Sequence, residues 1–149
     1  MRAVVQRSYE ASVKVDDKTI GEIDWGMVVL LGVKDNDTEE DLKYILRKVL
    51  NLRIFDDENG VMNKSILDVG GSILLISQFT LYGDVRKGNR PSYSNAAGFE
   101  EGKALYEKMI EEIEKSNIKV ETGSYGADMK VSLINNGPVT ILLDSEKVF

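Results

Sequence analysis

The chain has 149 residues, 42% apolar and 30% charged, with a formal net charge of −6 and neither cysteine nor histidine. That length suits one domain over residues 1–149 with a single core, and the acidic balance argues against a protein that coats DNA or RNA through charge alone. The two missing residue types exclude disulfides, thiolate nucleophiles, cysteine-held metal sites and serine–histidine triads.

No run of roughly 18 apolar residues marks a membrane span. The segment Met1 to Arg7 meets charge too early for a signal peptide, so a cytoplasmic address is expected. Arg2 to Arg7, Ala11 to Val15, Ile20 to Asp24 and Met27 to Val33 read as short strands rich in β-branched residues. Asp16-Asp17-Lys18 fits a hairpin turn between two of them. Asp37 or Thr38 is placed to cap a helix, with Glu40 or Asp41 three residues on. In that helix Leu42, Ile45, Leu46, Val49 and Leu50 form one apolar stripe.

Asp56-Asp57-Glu58-Asn59-Gly60 invites comparison with a calcium loop. Aligning Gly60 with the invariant glycine puts Phe55 and Ile66 where oxygen ligands are required, so the segment reads as an acidic turn. Gly70-Gly71 lacks the spacing of a dinucleotide fingerprint and no Walker lysine follows, so no metal and no nucleotide cofactor is expected. Ser72 to Phe79 is a largely apolar run suited to a strand buried on both faces. A second helix runs from Phe99 to Lys115, with Leu105, Met109, Ile110 and Ile113 inward. Ile118 to Val120, Met129 to Ile134 and Val139 to Leu143 follow as strands. The pattern predicts an α+β fold: a mostly antiparallel, barrel-like sheet with two main α-helices.

Two segments carry chemistry. Ser77-Gln78-Phe79-Thr80 ends an apolar strand, where side chains leave a rigid scaffold. Thr80 lacks a histidine to accept its proton, whereas backbone N–H groups at such a bend can hold an oxyanion without any ionisable side chain. Asn136-Gly137-Pro138-Val139-Thr140 holds one of the chain's two prolines. A proline at a strand start either spaces the chain from an edge or carries a cis bond, and the glycine before it is free to adopt angles closed to other residues. Arg86-Lys87-Gly88-Asn89-Arg90 is either a solvated loop or a phosphate contact.

Taken together, these segments resemble the D-aminoacyl-tRNA deacylases. The likeness runs in order through Val5-Gln6-Arg7, Asn51 to Asp57, Gly60 with Met62-Asn63 and Ser65, and Ser77 to Asp84. It continues through Lys87-Gly88, Arg90-Pro91-Ser92, Gly126-Ala127, Met129 and Asn136 to Thr140. Tyr93 and Tyr125 stand where the family usually has phenylalanine, and Asn136 where aspartate is common.

The resemblance implies a homodimer that cleaves D-aminoacyl esters, and mischarged glycyl esters, from the 3′-terminal adenosine of tRNA as chiral proofreading in translation. It implies that Gly137 and Pro138, joined by a cis bond, enter the partner's active site and exclude L side chains. It places Ser77, Gln78, Phe79 and Thr80 around the ester, and Met129 in the adenosine pocket. Lys87 and Arg90 are the candidates for tRNA phosphate contact. Three rival readings stay open: a module that binds acylated RNA without turnover, a structural dimer with an inert turn at Gly137-Pro138, and an editing domain for L-aminoacyl-tRNA.

Overall fold

A computed structural model describes residues 1–149. The four short strands expected at the start are two long ones, β1 (Arg2–Val15) and β2 (Lys18–Gly32), paired antiparallel along their length. Asp16 and Asp17 both take positive φ, at 48° and 61°, so they form the two-residue turn whose twist matches the flanking strands.

Helix α1 (Glu39–Asn51) follows. Thr38 caps it and Asp41 closes the capping box, while Asp37 instead receives the N-terminal ammonium at 2.7 Å. Leu42, Ile45, Val49 and Leu50 are buried, and Leu46 packs partly exposed beside them. The small hairpin of β3 (Phe55–Asp56) and β4 (Met62–Lys64) comes next. The acidic turn lies between its strands, and the Asp57 carboxylate accepts from the backbone N–H groups of Asn59 and Val61. A single turn, α2 (Ile66–Val69), leads into β5 (Ser72–Ser77).

After β5, a 3₁₀ turn spans Phe79–Tyr82. The chain continues through a loop, α3 (Phe99–Glu114), β6 (Val120–Thr122) and β7 (Lys130–Asp144).

The main sheet has the order β6-β5-β2-β1-β7. It is mixed and open, which corrects the expectation of a mostly antiparallel, barrel-like sheet. The β1/β2 and β1/β7 ladders are antiparallel, whereas β2/β5 and β5/β6 are parallel. Parallel neighbours need crossovers, and the two long helices supply them: α1 between β2 and β5, α3 between β5 and β6. Both helices pack over one face, enclosing the main core around Val29, Leu31, Ile45, Ile73, Leu75 and Met109. The far half of the β1–β2 hairpin curls back, so that Gly21 lies against the Thr122 backbone and Ala11, Val13, Ile23, Val28, Leu74 and Ile76 form a second, smaller core. The curl gives the sheet its barrel-like bend without hydrogen-bonded closure.

Tyr106 is a core residue the helical pattern does not pick out. Its hydroxyl donates to the Leu75 carbonyl at 2.8 Å, tying α3 to β5. None of the helices is long and apolar enough to cross a membrane.

Candidate active site

Strand β5 is buried from Ile73 to Ile76 and surfaces at Ser77. Gln78 bends the chain, with its N–H donating to the Leu31 carbonyl at 2.7 Å, and the 3₁₀ turn starts at Phe79. The carboxyl ends of parallel strands are where side chains and loops converge on open space. Here a cleft of about 450 Å³ opens, a size common among small-molecule sites.

Ile76, Ser77, Gln78 and Phe79 form one side of the cleft, Leu31 and Val33 its floor, and Phe99 with Tyr125 and Gly126 another wall. Met129 and Val131 reach it from the start of β7, brought there by the curl of the sheet. Phe99 and Tyr125 meet edge to face at 5.2 Å, and a Cβ at Gly126 would stand 2.5 Å from the Phe99 ring. The backbone can therefore approach that ring only as glycine.

The walls are mostly apolar, and Tyr125 is the one titratable side chain among them. Burial pushes its phenol up. Polar capacity comes from the Ser77 hydroxyl, the Gln78 amide and the backbone. The N–H groups of Phe79 and Thr80 open the 3₁₀ turn and have no acceptor within the chain, as expected for the first donors of a helical turn. Thr80 stands just outside the cleft, exposed, and its hydroxyl accepts a hydrogen bond from the Gln78 side-chain amide. The structure thus brings Ser77, Gln78, Phe79 and Met129 into one cavity and sets Thr80 at its edge.

Gly137 and Pro138 do not line this cleft. They sit on β7, an edge strand, in one continuous element rather than between two strands. Against β1, residues Gln6 and Thr140 pair, as do Ser8 and Asn135, so the stretch 136–139 bulges outward opposite Arg7 alone. The Gly137–Pro138 peptide is cis, and both residues are exposed.

Arg7 holds the base of the bulge. The residue is 7% exposed; Nε donates to the Asn136 carbonyl at 3.0 Å and one terminal nitrogen to the Ile54 carbonyl at 2.8 Å, with Asp56 at 3.2 Å. Asn135 clamps the other side, accepting from the Val139 N–H and donating to Thr140, both at 2.9 Å. Gly137 has φ of +128°, and a Cβ there would lie 2.8 Å from Val139 Cγ2 and 3.0 Å from an Arg7 terminal nitrogen. The bulge is a built feature that requires glycine.

Lys87 and Arg90 occupy an exposed loop whose ends, Asp84 and Ser92, pair by a β-bridge. Tyr93, just beyond it, meets Phe79 edge to face at 5.0 Å, which docks the loop beside the cleft. Arg86 faces Asp84 through two nitrogens at 2.9 and 2.6 Å and is thereby neutralised; the pairing holds the Asp84 carboxyl down at about 2.

Residue identity alone did not single out Phe99 as a wall or Arg7 as a prop. The signals were present in Gly126, whose missing side chain makes room for an aromatic ring, and in the one strand arginine that would be buried by the alternation of β1.

Comparison with known proteins places the chain in a family and its fold among solved structures. Residues 4–144 match the family model described as D-Tyr-tRNA(Tyr) deacylase. Curated relatives named D-aminoacyl-tRNA deacylase include those of Thermosipho melanesiensis, 62% identical over 150 residues, and Thermosipho africanus, 58% over 149, each with both chains covered completely. One from Clostridium botulinum (strain Loch Maree / Type A3) is 60% identical over 149 residues, again covering both chains.

A solved structure titled c-Myc DNA Unwinding Element Binding Protein superposes with a TM-score of 0.91 at 42% identity, covering 97% of this chain and 98% of that one. A second, titled as a probable eukaryotic D-amino acid tRNA deacylase, shares the fold at 20% identity with a TM-score of 0.83, covering 96% and 98%. Full-length matches at this identity leave one assignment: the chain belongs to the D-aminoacyl-tRNA deacylase family, and is a hydrolase of that class.

Proposed function

We propose that the protein hydrolyses the ester joining a D-amino acid, or a mischarged glycine, to the 3′-terminal adenosine of tRNA, as chiral proofreading in the cytoplasm. The observation that carries the chemistry is a pair of unpartnered backbone N–H groups, at Phe79 and Thr80, beside a cleft with no catalytic acid or base. An aminoacyl ester is already activated. Positioning it and stabilising the developing oxyanion are the two contributions such a site can make. Water attacks with help from the RNA 2′-hydroxyl, Ser77 and Gln78 orient the ester, and Met129 packs on the adenine.

Selection by chirality rests on Gly137 and Pro138. Their carbonyls form a rigid wall against the α-carbon; an L side chain collides with it, while a hydrogen or a D substituent passes. Because the bulge stands away from its own cleft, the wall serves the cleft of a second copy. Support for that homodimer comes from the sheet face opposite the helices. Leu142, Val4 and Leu30 form a row there continuous with Ile76, and Leu142 is 56% exposed. Such a partly uncovered apolar row, exposed most at Leu142, is the kind of surface that a symmetric partner buries.

Lys87 and Arg90 contact tRNA phosphates at the mouth of the cleft. Reversing both charges lowers the salt dependence of tRNA binding; an unchanged salt slope removes them from the interface.

The function is tested by measuring hydrolysis of D-tyrosyl-tRNA, L-tyrosyl-tRNA and glycyl-tRNA side by side. Loss of the D and glycyl esters alone supports the reading. Loss of the L ester at a comparable rate makes the protein an editing hydrolase without chiral exclusion, and loss of none leaves a binding module.

A further inference from the structure

Eleven of the 19 lysines and arginines make ion pairs with carboxylates; of the eight that do not, four gather around the end of α1. Arg47 and Lys48 on the last turns of α1, Arg53 just beyond it, and Lys147 near the end of the chain are all exposed, and none makes an ion pair. Arg47, Lys48 and Lys147 gather over a single ring, that of Tyr44, at 5.7, 5.7 and 5.5 Å from its centroid. Arg47, Lys48 and Arg53 line a shallow concavity with Asn51 and Leu52.

A helix C-terminus attracts cations, which accounts for Arg47 and Lys48. It does not account for Arg53 and Lys147, which arrive from other segments. Like charges gathered without counter-ions on a protein of net charge −6 are costly unless an anion visits them.

The location of the group narrows the anion. Arg53 precedes Ile54, whose carbonyl accepts from Arg7, the same guanidinium that holds Asn136 at the base of the Gly137-Pro138 bulge. Through Arg53, Ile54 and Arg7, the basic concavity is linked to the base of the bulge. We propose that Arg47, Lys48, Arg53 and Lys147 form a second tRNA contact, which binds backbone phosphates of a tRNA whose 3′ end occupies the partner subunit's cleft. This rests on the function and the paired arrangement proposed above. It means that each tRNA is held by both subunits: its ester by one, its phosphate backbone by the other. An acidic net charge is then compatible with RNA binding, because the positive surface is concentrated where the nucleic acid passes.

The test compares Arg47→Glu/Lys48→Glu with a control of equal charge change, Lys14→Glu/Lys18→Glu, on the far hairpin. All four residues are exposed, and melting curves check that the fold persists. Binding of uncharged tRNA and the KM for D-tyrosyl-tRNA are measured from low to moderate salt. The proposal expects the first variant to bind tRNA about tenfold more weakly at low salt, with a log–log salt slope smaller by about 2 and kcat nearly unchanged. The control should stay within about twofold of the native protein. Equal effects in the two variants, or native affinity in the first, overturn the contact. Binding to uncharged tRNA reports on the patch even if the native protein hydrolyses no D ester, an outcome that would sink the function and not the contact.

Discussion

The hydroxyl of Thr80 accepts a hydrogen bond from the Gln78 amide, and an amide donor cannot take its proton. No carboxylate or lysine is hydrogen-bonded to that oxygen and the chain has no histidine, so no base is in place to activate it. Thr80→Ala is therefore expected to retain single-turnover hydrolysis within about fivefold, whereas a loss of about a thousandfold would make it the nucleophile.

The backbone gives the opposite expectation. Phe79→Pro removes one N–H at the start of the 3₁₀ turn, a place that accepts proline, and Gln78 already has the extended φ of −145° that a following proline favours. The rate should fall by about a hundred- to a thousandfold, the measured scale for one oxyanion donor. Phe79→Leu keeps the N–H and should lose far less; equal losses would place the effect in the ring. Tyr125, the titratable group in the cleft, is pushed upward by burial, away from the neutral range. Between about pH 5 and 9 the rate profile should show only the substrate's own α-amine, near 8, also seen in spontaneous hydrolysis. A bell-shaped profile would reveal a protein acid or base.

Among elements, the bulge of β7 is the one whose conformation is bound most closely to one residue type. A methyl at Gly137 meets Val139 and Arg7 at or below 3.0 Å with φ at +128°, so either the bulge moves or the guanidinium does. Gly137→Ala should cost about 1–3 kcal/mol, visible as a drop of several degrees in melting temperature, and should lower the D-over-L preference by at least tenfold. Native selectivity in this variant would remove the wall from the mechanism.

This element also marks how far sequence reasoning reaches. Its glycine and proline are conspicuous from composition. The residue that shapes it, Arg7, is not, because its three partners come from segments about 50 and 130 residues away. The helices were legible for the converse reason: their apolar stripes are local. Strand β5 carried a clue that the fold-class expectation passed over. An apolar run buried on both faces is the signature of a parallel strand, and β5 is parallel to both neighbours. The cap of α1 could be narrowed to Asp37 or Thr38, with Glu40 or Asp41, because a capping box is complete within four residues; the structure uses Thr38 and Asp41.

At the scale of the molecule, the bulge at Gly137 and Pro138 does not line the cleft of its own chain. Ser77 emerges from β5, and Gly137 projects from the edge strand β7, with β2 and β1 between them. The open sheet face bearing Val4, Leu30 and Leu142 offers the surface on which a second copy would bring them together. On this account discrimination belongs to the pair of subunits, and so does the tRNA.

Mixed dimers test that claim most directly. One subunit carries Phe79→Pro, with a disabled cleft and an intact bulge; the other carries Gly137→Ala, with an intact cleft and a displaced bulge. Co-refolded and purified as the mixed species, they should form one complete site per dimer, with D-selective hydrolysis recovered to about half the native rate, as one site in two requires. Mixed dimers no more selective than the two parent variants would contradict the account, and would place cleft and wall in the same chain.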